Sequence, residues 1–322
     1  MPTPRIRILF IGGIGRSGSS LLERLLDQSD DFAAFGEIDK LSWSKERFDK
    51  RQLCGCGEPF QACPFWRDVM ARAVGGMESF DPRRFADQRD VAAGRNAKWA
   101  LLRGRGDAAH EAAFGRLADS LQALYGALHE ACGGRVIVDS SKDALYAMAL
   151  SRLPNVELSF LHLLRDPRAV AYSWQRQKKR PEIAWEERMM DVFAPDEVAR
   201  RWVRANAMAL AARWRATRSM GLTYESFVRD PSATLAAIAD FVGVSRSAID
   251  GLIRDGEASL VPGHTVMGNP DRMARSVRIR LDDAWRRELG AAERRRVQRQ
   301  VWPLWPLFWW YDSRRPAATP NA

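Results

Sequence analysis

Residues 8–26 carry the strongest local pattern of the chain, ILFIGGIGRSGSSLLERLL. The large apolar side chains at residues 8–11 are typical of a strand that is buried on both faces. Glycines follow, and leucines then recur at helical spacing over residues 21–26. A helix that begins at such a turn directs unpaired backbone N–H groups towards it, and its dipole attracts anions. The pattern therefore predicts a strand–turn–helix unit of an α/β protein that binds an anion.

The turn has the glycine spacing of a phosphate-binding P-loop, with Gly13 and Gly18 as its glycines. A nucleotide triphosphatase carries a lysine at the position of Ser19, whereas here the cation comes three residues earlier, at Arg16. A plain strand-to-helix turn without a ligand is the alternative. The run Arg-Ser-Gly-Ser-Ser places a cation and three hydroxyls at one spot, which favours an anion site.

A strand and a helix meet again in LLRDPRAVAYSW, residues 163–174. The strand ends at Arg165, and the helix that follows carries Ser173. Because ligands bind beyond the carboxyl ends of parallel strands, we expect Arg165 at the same edge of the sheet as Arg16. Arg165 and Ser173 would then hold a second phosphate, unless Arg165 only pairs with Asp166 or caps a helix.

A third strand end lies in VIVDSSKD, residues 136–143. It places Asp139 at the strand terminus, followed by two serines and Lys142. A nucleotidase would use such an aspartate for Mg²⁺. The serines and Lys142 supply donors suited to orienting an anion or an acceptor, or they cap the next helix.

Strands and helices alternate along the chain, which predicts a parallel sheet with right-handed crossovers. We expect one domain over residues 1–312, with an insertion over about residues 40–106 and a disordered tail at residues 313–322. The predicted strands are 8–11, 32–35, 135–139, 158–164 and 222–225, and the predicted helices are 21–26, 107–132, 144–153, 196–219, 231–242 and 291–302.

Fifty basic residues, mostly arginine, oppose 40 acidic ones and give a net charge of +10. This charge suits an anionic small ligand, an acidic membrane surface or nucleic acid. No recognised nucleic-acid-binding module is present, so we do not expect nucleic acid as the partner. The sequence has neither an apolar leader nor an apolar run of membrane-spanning length, so we expect a cytoplasmic protein. The oligomeric state is left open.

Three cysteines, Cys54, Cys56 and Cys63, lie close enough in sequence to share a Zn²⁺ ion. A fourth ligand is not evident from the sequence, and the spacing is not that of a standard zinc finger. A reduced cysteine-rich loop or a redox pair is the other interpretation.

An aromatic segment, VWPLWPLFWWY, covers residues 301–311. Its rings could line an acceptor pocket or touch a membrane interface as a peripheral contact. The alternative is that they pack a terminal helix onto the core.

Together the motifs resemble those of the PAPS-dependent sulfotransferases. Residues 16–20, followed by two leucines, look like the 5′-phosphosulfate loop, in the arginine version of the carbohydrate and bacterial branches. The stretch from Arg165 to Ser173 resembles the 3′-phosphate motif of the family. Residues 222–244 are similar to its Tyr-Glu segment near the adenine. The resemblance implies a three-layer α/β/α sandwich around a parallel sheet, related to the P-loop NTPase fold.

The resemblance also implies PAPS as the sulfate donor, no required metal, and in-line transfer of the sulfuryl group to a hydroxyl of a small-molecule, carbohydrate or lipid-linked acceptor. The late 3′-phosphate loop of the cytosolic branch is missing, and residues 263–280 stand in its place in the order of motifs. The implied contacts with the donor are Arg16, Ser17, Gly18, Ser19, Ser20, Leu21, Arg165, Ser173, Tyr224, Asn269 and Arg272.

Three residues are candidates for catalysis within this resemblance. Arg16 would neutralise the bridging oxygen of the leaving group, and Lys142 would assist there. Glu37, in the sequence FGEI, would act as the general base. His264 is the reserve candidate for the base.

Two other functions remain open at this point. A P-loop kinase or NTPase would use Asp139 as its Mg²⁺ ligand, although the serine at position 19 argues against it. A non-catalytic nucleotide-binding protein would bind the same donor without transferring sulfate.

Overall fold

The fold is built on a sheet of five parallel strands. The computed structural model describes residues 5–42, 52–180, 182–268, 273–313 and 319–320. The order across the sheet is β2-β3-β1-β4-β5, and all neighbouring strands run parallel. The strands are β1 (Ile6–Gly13), β2 (Phe32–Gly36), β3 (Val136–Lys142), β4 (Val156–Leu164) and β5 (Arg218–Thr223). The predicted α/β fold with a central parallel sheet is confirmed.

The described residues also form three short strands. The strands β6 (Glu257–Ser259) and β7 (Ser276–Arg278) form a separate antiparallel pair. The strand β8 (Thr319–Pro320) pairs antiparallel with β5 at the edge of the main sheet. The other residues after Ser313 lie outside the described part of the chain, so the disordered tail stays a prediction.

Helices cover both faces of the main sheet. Several begin directly after an aspartate whose side chain accepts backbone N–H groups of the first turn, which stabilises a helix start. These aspartates are Asp81, Asp107, Asp143, Asp166 and Asp230. The helices are α1 (Ser19–Leu26), α2 (Pro64–Val74), α3 (Pro82–Ala93), α4 (Lys98–Arg103), α5 (Ala108–Ala131), α6 (Ala144–Leu150), α7 (Pro167–Gln175), α8 (Pro195–Arg213), α9 (Tyr224–Arg229), α10 (Pro231–Val242), α11 (Trp285–Glu288), α12 (Ala291–Val301) and α13 (Trp305–Asp312).

The central strand β1 divides its side chains between two cores. Ile8 and Phe10 belong to a core that includes buried residues of α5 and α6. Leu9 and Ile11 belong to a second core, on the side of α1 and α10. Because side chains alternate along a strand, both faces of β1 are covered. The architecture is therefore the predicted three-layer α/β/α sandwich.

The strand ends that carry the predicted motifs meet at one edge of the sheet. Gly13, at the end of β1, lies opposite Leu163 of β4. Gly12 lies opposite Lys142, the last residue of β3. The turn after β1 is therefore flanked by Lys142 on one side and by Arg165 on the other.

Helix α8 ends earlier than predicted. The helical pattern continued to residue 219, but the chain leaves the helix after Arg213 and enters β5 at Arg218. The backbone N–H of Thr217 donates to the carbonyl of Leu158 in β4 at 3.0 Å. Pairing with β4 therefore overrides the local helical periodicity, as tertiary contacts often do.

The strand predicted at residues 222–225 is also shifted. It spans Arg218–Thr223, and α9 begins at Tyr224. The helix begins at Tyr224 because Thr223 caps it, with its hydroxyl accepting the N–H of Ser226 at 3.0 Å.

The segment predicted as an insertion forms helices α2, α3 and α4. Trp66 and Val69 of α2 are fully buried in the same core as Leu117 and Leu121 of α5. This segment therefore extends the layer formed by α5 along one face of the sheet. Residues 43–51 within it lie outside the described residues.

The aromatic segment at residues 301–311 is divided between core and surface. Trp305, Phe308 and Tyr311 are buried in a cluster with residues of α7, α8 and α12. Trp302 and Trp309 are largely exposed. Packing of a terminal helix therefore accounts for the buried rings. In the described part of the chain, no helix has the length and apolar character needed to cross a membrane.

The substitution Trp202→Phe tests how this core supports the sheet edge. Trp202 is fully buried in α8, and its Nε1 donates to the carbonyl oxygen of Arg165 at 3.0 Å. The change leaves that buried carbonyl unsatisfied, so we expect the free energy of unfolding to fall by about 1–3 kcal/mol. Urea unfolding followed by circular dichroism measures the loss.

The matched control is Trp214→Phe, since Trp214 is 85% exposed. This control should change the unfolding free energy by less than about 0.5 kcal/mol. Equal effects of the two substitutions would contradict the proposed role of Trp202.

Candidate functional site

A cleft of about 1260 Å³ opens at the carboxyl ends of the parallel strands. Its walls come from the segments that follow each strand, as expected for ligand sites in open α/β sheets. The predicted site residues that line it are Arg16, Gly18, Ser19, Ser20, Leu21, Glu37, Lys142, Arg165, Ser173 and Tyr224. The structure therefore brings most of the predicted site residues together in one cleft, although they lie up to 208 residues apart in the sequence.

The turn after β1 depends on close approaches that glycine allows. Gly13 has φ +134°, and a Cβ there would lie 2.4 Å from the carbonyl oxygen of Leu163. Gly18 has φ +90°, and a Cβ there would lie 2.5 Å from the ring of Tyr224. Arg16, between them, has a left-handed backbone with φ +71°, which is rare for a residue with a side chain. Side chains at positions 13 and 18 would therefore clash with neighbouring atoms in this turn.

The helix α1 begins at this turn without a side-chain cap. Gly18 is its N-cap residue, and its first turn contains no acidic side chain. The hydroxyl of Ser17, a residue only 1% exposed, has no hydrogen-bond partner among the described residues. A buried hydroxyl without a partner costs free energy, which an anionic ligand at this helix end would recover.

Arg16 extends from the turn into the wall of the cleft. Its Nη2 lies 3.0 Å from the sulfur of Met190, and its guanidinium lies 5.1 Å from the ring centre of Trp174. These contacts align the planar cation along one side of the cleft. The backbone carbonyl of Arg16 accepts a hydrogen bond from Nη1 of Arg165 at 2.9 Å.

Arg165 joins the second motif to the first. Its side chain is 7% exposed, and its guanidinium lies 4.3 Å from the ring centre of Tyr224. Burial raises the pKa of Tyr224 above its ordinary value, so the phenol stays neutral. The Nη2 of Arg165 pairs with the carboxylate of Asp282 at 3.1 Å. Arg165 therefore already holds one anionic group within the cleft.

Glu37 and Lys142 form an ion pair on the opposite side. The Nζ of Lys142 lies 2.8 Å from Oε1 of Glu37 and 2.7 Å from the carbonyl oxygen of Ser140. Burial acts to lower the pKa of Lys142, but the carboxylates of Glu37 and Glu23 raise it above the ordinary value. Lys142 therefore remains a cation beside the predicted base. Its backbone is left-handed, with φ +68°.

Asp139 lies behind this wall and does not line the cleft. Its carboxylate accepts hydrogen bonds from the hydroxyl of Tyr125 and, at 2.8 Å, from the backbone N–H of Ser141. Burial raises the pKa of Asp139 to about 7. A carboxyl group enclosed in this way is badly placed to hold Mg²⁺ on a nucleotide in the cleft.

The cleft is strongly basic. Its described lining includes twelve basic and four acidic side chains. Such a surplus attracts and holds a multiply charged anion. Several of these cations lie outside the motifs described above, although the run QRQKKR contains three of them: Arg176, Lys178 and Arg180.

Two predicted donor contacts, Asn269 and Arg272, lie outside the described residues. Their neighbours Gly268 and Ala274 line the cleft. The roles of Asn269 and Arg272 therefore stay predictions.

His264 lies away from the cleft lining. Its Nδ1 is 3.4 Å from the sulfur of Cys63, and its ring stacks on Phe65 with the ring centres 4.7 Å apart. This geometry favours Glu37 over His264 as a base. None of the residues 301–311 lines the cleft either, so the structure does not support the aromatic segment as an acceptor pocket.

Comparison with known proteins agrees with the motifs. A sequence profile described as the sulfotransferase family matches residues 9–248, a range that begins within β1 and includes β2 to β5 in full. No curated protein sequence matches the chain significantly.

Solved structures with similar folds include two sulfotransferase domains. The domain from the Synechococcus PCC 7002 olefin synthase is 19% identical, with a TM-score of 0.50, over 94% of this chain and 95% of that one. The domain from the curacin biosynthetic pathway is also 19% identical, with a TM-score of 0.45, over 92% of this chain and 98% of that one. Since the family profile covers most of the sequence, the chain belongs to the sulfotransferase family.

Proposed function

We propose that this protein transfers a sulfuryl group from PAPS to a hydroxyl of a small-molecule, carbohydrate or lipid-linked acceptor. The observation that carries the proposal is the pairing of two anion-binding features in one cleft. The turn after β1 presents Arg16 without the lysine of a P-loop, and Arg165 with Ser173 lies beside it. PAPS carries anionic groups at both ends of its ribose, so it needs two such features.

The turn after β1 suits the 5′-phosphosulfate. Ser17 offers a buried hydroxyl that lacks a partner among the described residues, and the start of α1 offers backbone N–H groups. Arg16 adds a planar cation that can donate two hydrogen bonds to neighbouring oxygens. When bound, PAPS supplies the sulfuryl group and a phosphate leaving group.

Arg165 and Ser173 suit the 3′-phosphate. The guanidinium of Arg165 pairs with the carboxylate of Asp282, so an anionic group already fits beside it. Ser173 lines the same cleft from α7. Tyr224 stacks against Arg165 and Gly18, which places an aromatic ring beside both anion sites. These contacts would select a 3′,5′-bisphosphate over a nucleotide with a single phosphate group.

The transfer requires positioning and the stabilisation of charge more than covalent chemistry by the protein. The acceptor oxygen forms a bond to sulfur while the bond from sulfur to the bridging phosphate oxygen breaks. Glu37 takes the proton of the acceptor hydroxyl, and Lys142 orients the Glu37 carboxylate through their ion pair. Arg16 and Lys142 stabilise the negative charge that develops on the leaving phosphate oxygen.

A P-loop kinase is the weaker alternative. Such an enzyme needs a carboxylate that holds Mg²⁺ next to the phosphates, and Asp139 is enclosed by Tyr125 and Ser141. Calorimetry distinguishes the two functions. We expect adenosine 3′,5′-bisphosphate to bind with chelator present, whereas tight binding of ATP that depends on Mg²⁺ would contradict the proposal.

Labelled PAPS tests the transfer itself. The full chain is incubated with ³⁵S-labelled PAPS and an extract of the source organism, and sulfated products are separated and identified. We expect at least one labelled hydroxyl ester. Binding of PAPS without any labelled product would favour a non-catalytic nucleotide-binding protein instead.

The substitution Arg16→Ala should lower kcat by about 10²–10³-fold, because it removes a cation from the site where charge develops. The measurement is the steady-state rate with an acceptor found in the labelling experiment. Circular dichroism checks that the fold is intact. The control is Arg246→Ala, whose side chain is 65% exposed and pairs with Asp240 on the surface. If the two variants retain equal rates, Arg16 lacks the proposed role.

The substitution Glu37→Gln should lower kcat by about 10²–10⁴-fold while leaving the affinity for adenosine 3′,5′-bisphosphate unchanged. Glutamine keeps an oxygen that can accept from Lys142 but cannot take up a proton. The control is Glu186→Gln, at an exposed glutamate. An unchanged kcat would rule out Glu37 as the base.

The substitution Ser173→Ala should weaken binding of adenosine 3′,5′-bisphosphate by about 10-fold, since a hydrogen bond to a charged group is lost. Binding of adenosine 5′-monophosphate should stay the same, because it lacks the 3′-phosphate. Calorimetry of both ligands gives the difference. Ser245→Ala, at an exposed serine, is the control. A parallel loss for both ligands would argue against a 3′-phosphate contact.

A further inference from the structure

Three cysteines of the insertion and one histidine from a later loop converge, although the sequence separates them by up to 210 residues. The sulfur and ring nitrogen atoms of Cys54, Cys56, Cys63 and His264 all lie within 4.8 Å of one another. Nδ1 of His264 lies 3.4 Å from the sulfur of Cys63 and 3.9 Å from that of Cys54. The sulfurs of Cys56 and Cys63 are 3.8 Å apart.

Three of the six separations, at 3.4, 3.8 and 3.9 Å, are close to the edges of a tetrahedron around a zinc ion. With a zinc–sulfur bond of about 2.3 Å, two sulfurs of a tetrahedral site lie about 3.8 Å apart. With a zinc–nitrogen bond of about 2.0 Å, sulfur and nitrogen lie about 3.5 Å apart. Since all four ligand atoms lie within 4.8 Å of one another, Cys54, Cys56, Cys63 and His264 are close enough to share one ion. His264 is thus the fourth ligand, which was not evident from the sequence.

The backbone holds the two ligand-bearing segments together. The N–H of Gly55 donates to the carbonyl of Thr265 at 3.0 Å, which joins the cysteine loop to the loop of His264. A Cβ on Gly55 would lie 2.4 Å from the Thr265 hydroxyl and 2.7 Å from the Gly263 carbonyl oxygen. Only glycine permits this approach, so the cluster is built into the local backbone.

The orientation of His264 is fixed by groups outside the cluster. Its ring stacks on Phe65 at an interplanar angle of 9°, and its carbonyl accepts from Nε1 of Trp66 at 2.9 Å. Both aromatic residues belong to α2. Cys63 directly precedes this helix as its N-cap residue. The positive end of the helix dipole favours the thiolate form that a metal ligand requires.

We propose that Cys54, Cys56, Cys63 and His264 bind one Zn²⁺ ion in a closed structural site. On binding, each thiol loses its proton to solvent and forms a zinc–sulfur bond, and the histidine supplies a ring nitrogen lone pair. Thiolate and imidazole donors suit Zn²⁺ rather than Mg²⁺ or Ca²⁺. Four protein ligands leave no position for a substrate, so the ion does not take part in sulfuryl transfer.

The site would anchor one wall of the cleft. After His264, the N–H of Val266 donates to the carbonyl of Phe35 in β2 at 2.9 Å, two residues before Glu37. Met267 then lines the cleft itself. A zinc ion would therefore link the insertion to the segment that supports Glu37.

Metal analysis of the purified full-length chain tests the proposal. We expect about one Zn²⁺ per chain by mass spectrometry after reconstitution and desalting under reducing conditions. Cys63→Ser and His264→Ala should each lose most of that zinc. Cys132→Ser is the matched control and should keep the zinc. Cys132 is a buried cysteine whose thiol forms hydrogen bonds with the carbonyl oxygens of His129 and Arg135.

The wild-type chain also allows tests that do not depend on how the variants fold. Reconstitution with Co²⁺ should give the intense visible absorption of tetrahedral cobalt bound to thiolates. A chelator should lower the melting temperature of the zinc-loaded protein.

Three results would overturn the proposal. They are wild-type zinc far below one per chain after reconstitution, an octahedral cobalt spectrum, and alkylation of the unreduced, denatured chain that finds two of the three cysteines blocked as a disulfide. The last result would establish the redox pair instead.

Discussion

The hydrogen bond from the Arg165 guanidinium to the Arg16 carbonyl connects the two halves of the proposed donor site. Arg165 follows β4, Arg16 follows β1, and these strands are neighbours in the sheet. The Arg165 carbonyl is itself held by the indole of Trp202 in α8. Hydrogen bonds through Arg165 therefore join the turn to the buried helix α8. Because the turn has a left-handed residue at Arg16, it needs such external support to keep its shape.

Much of the fold could be predicted from the sequence because local patterns and tertiary structure agree. The helix bounds of α10 follow from Asp230, Pro231 and the apolar periodicity, which all favour the same limits. The end of α8 could not be predicted, because strand pairing after Arg213 replaces a helical pattern that continues in the sequence. The helices of the insertion could not be predicted, because the many polar residues of this segment obscure the helical spacing of its buried apolar residues, such as Trp66.

The site was predictable where its residues follow a strand, and not where they come from distant loops. Arg16, Lys142 and Arg165 occupy positions that the parallel sheet brings together automatically. His264 gave no such signal. Its partnership with Cys63 depends on a loop that crosses back to the insertion 201 residues later in the chain. Proximity of this kind is a property of the folded chain, and spacing along the sequence carries no trace of it.

The pair between Arg165 and Asp282 has a consequence for selectivity. The protein carries its own competitor, a tethered carboxylate that remains at high local concentration. An incoming anion gains only the difference between its own contacts and those that it displaces. At this arginine, chloride or a lone carboxylate would gain less than a doubly charged group with several oxygens. At Arg165, the basic charge of the cleft is therefore partly neutralised by the protein itself, which disfavours small anions of its surroundings.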